Sequence, residues 1–175
     1  SNAGTIIANT GTVNLGGTMN ATGGIGTFTN TAGTVNITGT LNNTVSTLLL
    51  NGATGSWNLV GGTISGGQIN FAGGAVLIIT ANSANLLTGV TVNGDLTLSA
   101  ANARVQIAGG ATFTTAHLSG NSCSLGFAPG QTLTGTILFE GATGGPRSVE
   151  MNGTNGTFTI GATGVIRTEV GFAST

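Results

Sequence analysis

The sequence offers few side chains for acid–base chemistry: four acids, three arginines and one histidine among 175 residues. The acids are Asp95, Glu140, Glu150 and Glu169. Hydrolysis of a glycosidic bond needs two carboxyl groups about 5 to 9 Å apart. Only Glu140 and Glu150 are near enough in sequence to meet, and Arg147 between them predicts an ion pair beside a loop. We therefore identify Glu140, Arg147 and Glu150 as a possible loop site and expect no enzymatic activity.

No motif for a metal, a cofactor or a nucleophile stands out. Asp95 lies in Asn-Gly-Asp-Leu, which is typical of a turn, and the recurrent Asp of calcium-binding repeats is missing. His117 has no second histidine or acid near it in sequence, so we predict a strand-surface or corner residue. Cys123 is the single cysteine, which rules out a disulfide within the chain and predicts a small buried residue. We expect no catalytic residues, no metal site and no cofactor.

The elements that carry these residues come from a repeated unit. Copies begin at Gly11, Gly33 and Gly55, which are spaced 22 residues apart. Each copy reads Gly-Thr-hydrophobic-Asn-hydrophobic or a close variant, then a glycine-rich corner, then a second short apolar segment. A fixed period in this range indicates a repeat architecture.

Strand-like segments of about five residues recur in three positions, A, B and C. In position A, two apolar residues two apart point to one side of a strand. These pairs are Val13 and Leu15, Val35 and Ile37, Trp57 and Leu59, Val76 and Ile78, Val105 and Ile107, Leu125 and Phe127, Val149 and Met151. The inward residues of position B are Met19, Leu41, Ile64, Val92, Phe113, Leu133 and Phe158. Those of position C are Phe28, Leu48 and Leu50, Ile69 and Phe71, Leu96 and Leu98, Leu118, Ile137 and Phe139, and Val165.

This double periodicity predicts an all-β parallel β-helix of about seven three-sided coils, each of roughly 22 residues, with right-handed coiling as the default. Parallel strands about 4.8 Å apart would make a rod of about 30 Å. Two longer steps between copies predict insertions at 80–88 and 140–147, which would form surface loops.

The outer side of the B strands carries a regular pattern of small polar residues. The residues on either side of each inward B residue are Thr18 and Asn20, Thr40 and Asn42, Thr63 and Ser65, Thr91 and Asn93, Thr112 and Thr114, Thr132 and Thr134, Thr157 and Thr159. Stacked coils would turn them into two columns on one flat face, a possible binding face for a carbohydrate or for ice. Thr also has high β propensity and stacks well in exposed ladders, so a rod without any ligand would show the same columns.

The composition restricts the partners. With a net charge of −1 and 4% charged residues, the chain lacks the basic surface that nucleic acid binding needs. No apolar run approaches the roughly 18 residues of a membrane-spanning helix, so we expect no membrane insertion. Residues 1–3, Ser-Asn-Ala, look like the scar of a cleaved expression tag, and 4–175 are predicted to be one β-helix domain from a larger repeat protein.

The repeated Gly-Thr-hydrophobic-Asn-hydrophobic unit, as in Gly11 to Leu15 and Gly33 to Ile37, resembles the parallel β-helix regions of large bacterial surface proteins of the filamentous-haemagglutinin and autotransporter-passenger types. The resemblance covers nearly the whole chain. It implies a secreted or cell-surface location and a role as a stalk or adhesin, with a surface glycan or protein as a possible partner. Carbohydrate or ice binding by the threonine face is the alternative, and a polysaccharide-degrading β-helix enzyme is a third. Cut ends of such a solenoid expose apolar ladders, so we also expect end-to-end self-association.

Overall fold

The computed structural model describes residues 2–21, 25–141, 145–153, 155–170 and 172. Ser1 of the predicted tag scar and residues 142–144 of the second predicted insertion lie outside this part of the chain. The described residues form short strands and no helix. In chain order the strands are β1 Thr5–Ala8, β2 Thr12–Leu15, β3 Thr18–Asn20, β4 Thr27–Asn30, β5 Thr34–Ile37, β6 Thr40–Asn42, β7 Thr47–Leu50, β8 Trp57–Leu59, β9 Thr63–Ser65, β10 Gln68–Phe71, β11 Leu77–Ile79, β12 Leu86–Thr88, β13 Thr91–Asn93, β14 Leu96–Leu98, β15 Arg104–Ala108, β16 Thr115–Leu118, β17 Ser124–Phe127, β18 Thr132–Leu133, β19 Thr136–Phe139, β20 Ser148–Met151, β21 Thr159–Ile160 and β22 Val165–Thr168.

The strands lie on three faces of a solenoid, because each pairs in parallel with the strands one turn before and after it. Face 1 is an eight-stranded sheet in the order β2, β5, β8, β11, β14, β16, β19, β22. Face 2 is a seven-stranded sheet in the order β3, β6, β9, β12, β15, β17, β20. Face 3 consists of the pair β1 and β4, the three-stranded sheet β7, β10, β13, and the pair β18 and β21. The predicted all-β parallel β-helix is confirmed.

The number of complete turns differs slightly from the prediction. Among the described residues, about six turns carry a strand on every face. Five of them follow one another, from the turn β1–β3 to the turn β13–β15, and the sixth is β18–β20. In the turn between them, face 3 is reduced to an isolated bridge between Thr91 and Thr112. The sequence predicted about seven coils because it counted apolar positions, and an apolar position does not always form a paired strand.

Ladders of apolar side chains fill the interior. On face 1, Ile37 lies between Leu15 and Leu59 in register, and all three are buried. The neighbouring ladder contains Trp57, which is fully buried and whose ring centroid lies 4.7 Å from that of Phe28 on face 3. Burial of such apolar surface contributes about 25 cal/mol per Å² and holds the three faces together.

Two corners show why glycine is required. Gly67 has a φ of 65°, and a Cβ there would come within 2.0 Å of the Asn43 carbonyl oxygen. At Gly39 a Cβ would lie 2.2 Å from the carbonyl oxygen of Gly17, one turn below. Successive turns are therefore in backbone contact at these corners, where only glycine fits.

The apolar pair predicted for the fourth coil, Val76 and Ile78, is wrong by one residue. These side chains point outward and are 41% and 37% exposed, whereas Leu77 and Ile79 are buried. Every residue in this segment is apolar, so alternation cannot tell the inner side from the outer one. Pairing with the turn below decides the register, because Leu77 aligns with Trp57.

A strand of face 2 lies in segment 80–88, which the sequence predicted to be an insertion. Strand β12 pairs with β9 on one side and β15 on the other, and Leu87 aligns with Ile64. The preceding Ala81-Asn-Ser-Ala-Asn85 has the composition of a loop, which concealed the strand. Because β12 was missed, every later strand lies one face away from its predicted position. Val105 and Ile107, predicted in position A, lie on β15 of face 2.

Candidate functional site

The first three pairs of the predicted binding face lie together on face 2. Thr18, Thr40 and Thr63 are aligned in successive turns, as are Asn20, Asn42 and Ser65. The next turn on this face places Leu86 above Thr63, so the threonine column ends there. Within face 2, the predicted two-column array is therefore three turns long.

The remaining four pairs lie on face 3. Thr91 and Asn93 belong to β13, Thr112 is bridged to Thr91, and Thr132 and Thr159 face each other on β18 and β21. The other members, also on this side of the solenoid, are Thr114, Thr134 and Thr157. Because Thr132 pairs with Thr159, Thr157 is out of register with it. The structure thus divides the predicted face into two, and whether either part binds a ligand stays a prediction.

Asparagine amides link the turns on the outer surface. On face 1, Asn36 donates through Nδ2 to Asn14 Oδ1 at 2.9 Å, and Asn58 donates to Asn36 Oδ1 at 2.9 Å. On face 2, Asn42 donates to Asn20 Oδ1 at 3.0 Å. In such a ladder, the amide nitrogen of one asparagine donates to the amide oxygen of the next, so both kinds of group are used within the rod. These ladders serve the cohesion of the rod.

A buried asparagine also links turns inside a corner, a role that its sequence context does not indicate. Asn85 is fully buried; its Oδ1 accepts from the Gly61 amide at 2.6 Å. Its Nδ2 donates to the carbonyl oxygens of Thr80 at 3.0 Å and Arg104 at 2.9 Å. One side chain thereby satisfies backbone groups of three turns, which a loop-like composition does not reveal.

The predicted loop site of Glu140, Arg147 and Glu150 does not form one cluster. Glu140 contacts His117 on the outside of face 1, with 2.6 Å between Oε1 and Nδ1, whereas Glu150 lies on β20 of face 2. The buried Arg147 donates to the carbonyl oxygens of Gly145 and Ser119 and lies over the ring of Phe172, 5.4 Å from its centroid. The corner between β19 and β20 separates the two acids, so a paired-carboxylate arrangement is not formed.

The structure instead places two acids around His117. Its Nδ1 lies 2.6 Å from Glu140 Oε1, and its Nε2 lies 3.5 Å from Asp95 Oδ2. His117 lies on strand β16, which agrees with the predicted strand-surface position, and acids that are distant from it in sequence are its neighbours in space. The numbers 95, 117 and 140 differ by 22 and 23, close to the repeat period, so applying the period to the charged residues would have found the cluster. Both ring nitrogens face carboxylates, which suits an electrostatic link between turns.

Cys123 is fully buried, and desolvation raises the pKa of its thiol above the ordinary value, which disfavours the nucleophilic thiolate. Within the described ranges, no group of three His, Cys, Asp or Glu side chains is arranged so that it could hold a metal ion. The same part of the chain contains no helix that could cross a membrane.

Face 2 also carries an open groove across β15, β17 and β20. Arg104 on β15 and Glu150 on β20 face each other at this groove, with Nη1 3.5 Å from Oε1. Both side chains are partly exposed, so the attraction between them is weak in water. Glu150 was among the predicted site residues but Arg104 was not, although their numbers differ by 46, about two repeat periods.

In comparisons with known proteins, no protein-family model, no curated protein and no solved structure matches the chain.

Proposed function

We propose that this chain is a rigid stalk segment of a secreted or cell-surface bacterial protein of the adhesin type. The observation that carries the proposal is the continuous eight-stranded parallel sheet of face 1, which runs along the solenoid from β2 to β22. At about 4.8 Å per step, its seven steps span roughly 34 Å. Adding turns would extend such a rod without changing its cross-section.

The cohesion between turns suits a mechanical role. Apolar ladders inside and asparagine ladders outside connect each turn to the next, and neither depends on a disulfide or on closely spaced charges. The chain has three basic residues, which leaves few cleavage points for trypsin-like proteases. Both properties suit an extracellular location, where the outer faces would contact a surface glycan or protein.

The resemblance in the repeated sequence unit adds the bacterial surface class to this proposal. Gly33-Thr-Val-Asn-Ile37 forms β5 and the corner before it, so the unit that carries the resemblance is also the unit of the solenoid. Catalysis has no part in the proposed role.

Display on bacterial cells would test the proposal. The chain would be placed between an outer-membrane anchor and a fluorescent tip domain, and the distance from the tip to a membrane dye would be measured by single-molecule energy transfer. A rod gives a narrow distance distribution, whereas a Gly/Ser linker of equal residue number gives a broad one. A distribution as broad as that of the linker would contradict a stalk function.

A further inference from the structure

The groove on face 2 is a small polar depression in an otherwise filled surface. It has a volume of about 230 Å³. Apart from Val105, the lining residues are polar: Ser83, Arg104, Gln106, Ser124, Glu150 and Asn152.

Gly126 occupies an outward position between two residues of the groove lining. In register, Gly126 of β17 lies between Gln106 of β15 and Glu150 of β20. A Cβ at Gly126 would come within 2.4 Å of Asn152 Nδ2, so the asparagine amide lies directly over this residue. The glycine therefore makes room for Asn152, which lines the groove together with Gln106 and Glu150.

Ser124 supplies a buried polar group to the groove lining. It is 1% exposed, and its Oγ has no hydrogen-bond partner among the described residues. Ser124 pairs in register with Arg104, whose side chain shares the groove lining with it. A buried hydroxyl without a partner costs on the order of 1–3 kcal/mol, so its presence points to a group that binds there.

The chemistry of the lining selects the class of ligand. Arg104 and Glu150 cancel in formal charge, so a simple anion would meet the carboxylate and a simple cation the guanidinium. The guanidinium offers several donors in a plane, the carboxylate offers acceptors, and Gln106 and Asn152 offer both. Adjacent hydroxyl groups of a sugar, each of which donates and accepts, match this mixture. An apolar ligand would find almost no apolar contact.

We propose that the groove of Ser124, Arg104 and Glu150 binds one unit of a neutral carbohydrate, with a sugar hydroxyl bonded to Ser124 Oγ. The ion pair at 3.5 Å is open enough for hydroxyl groups to bridge it. This site is distinct from the threonine columns, and the inference does not rest on the stalk function.

The test is titration of the isotopically labelled chain, followed by amide chemical shifts. The probes are galactose, glucose and N-acetylglucosamine, then neutral oligosaccharides on a glycan array, with sodium sulfate as a separate probe. The variants are Ser124→Ala and Glu150→Gln, and the matched control is Ser148→Ala, an exposed serine aligned with Ser124 outside the groove lining. Thermal unfolding of each variant is recorded alongside.

We expect sugar-induced shifts confined to β15, β17 and β20, and affinity about three- to tenfold lower in Ser124→Ala and Glu150→Gln, as for loss of one hydrogen bond. Ser148→Ala should bind as the parent does. Ser124→Ala should unfold at an equal or higher temperature, because it removes an unpartnered buried hydroxyl. Response to free sugars indicates a single-unit site, and response only to oligosaccharides indicates a polymer; either supports the proposal.

Three results would overturn it: no response to any free sugar or to any oligosaccharide on the array, shifts located elsewhere, or affinity unchanged in both groove variants. In those cases a bound water is enough to satisfy Ser124. A response to sulfate without a response to sugars would also reject a neutral ligand. Since the distance measurement on the stalk does not involve this groove, either proposal can fail without the other.

Discussion

At the scale of single residues, the scarce charges are distant in sequence but adjacent in space. His117 contacts acids from the neighbouring turns, and Arg104 contacts Glu150 two turns away. The Arg104–Glu150 pair has side-chain exposures of 49% and 39%, so it contributes about 0–1 kcal/mol. The pair therefore adds little to the stability of the fold, and its main feature is that both side chains line the groove.

A corner valine allows a prediction at this scale. Val45 has a φ of 56° and is 86% exposed, so it combines a conformation unfavourable for β-branched residues with little burial. Val45→Gly should raise the free energy of unfolding by about 1 kcal/mol, because relief of the strain outweighs the added chain entropy of glycine. Val45→Ala keeps the Cβ and serves as the control, with a smaller change. Urea unfolding would measure both, and a destabilised glycine variant would contradict the assigned strain.

At the scale of elements, strand register decides which side chains form the core. Strand β11 shows this most clearly, because its sequence is apolar throughout and only pairing with β8 turns Leu77 and Ile79 inward. Strand β12 also depends on its neighbours. Its two leucines follow a loop-like segment, and pairing with β9 and β15 makes them part of face 2.

Two adjacent isoleucines test this register. Ile79 is fully buried and Ile78 is outward and 37% exposed. Ile79→Ala should lower the free energy of unfolding by about 2–5 kcal/mol, because it leaves a cavity in the ladder. Ile78→Ala should change it by about 0.5 kcal/mol or less. Chemical denaturation of both variants measures the difference, and equal losses would reject the register of β11.

At the scale of the whole molecule, the solenoid has open ends within the described residues. Strand β22 pairs only with β19, and Ile166 continues the inward ladder of Ile137 but is 38% exposed. At the opposite end, β1 pairs only with β4, and Ile6, which aligns with the buried Phe28, is only partly buried. Unpaired edges and uncovered apolar rungs of this kind favour strand-to-strand association.

We therefore expect head-to-tail association of the chain at high concentration, visible as a concentration-dependent mass in analytical ultracentrifugation. Ile166→Lys should reduce it by placing a charge on the last rung. Val76→Lys, which adds the same charge on the outside of face 1 midway along the rod, should not. A monomer at every concentration would contradict the prediction, and circular dichroism would confirm that each variant is folded.

The candidate sites were less predictable than the fold. The sequence shows the threonine pairs, and they were predicted to share one face. Because strand β12 was not predicted, Thr91 and the later pairs were assigned to the face of Thr18, whereas they lie on face 3. The His117 cluster was within reach of the sequence, because its spacing follows the repeat. The groove was not, since its lining residues come together only when β15, β17 and β20 pair in register.

The sequence by itself determined the architecture: alternation within strands and a period near 22 residues fit only a stacked, three-sided β-helix, because both patterns are local properties of the chain. The tertiary structure alone decided which face each strand joins, which side of β11 is buried and which residues line the groove. These are set by backbone pairing and side-chain contacts between turns, where partners are separated by about a full turn of chain. That is why the solenoid could be read from the residues while its surfaces could not.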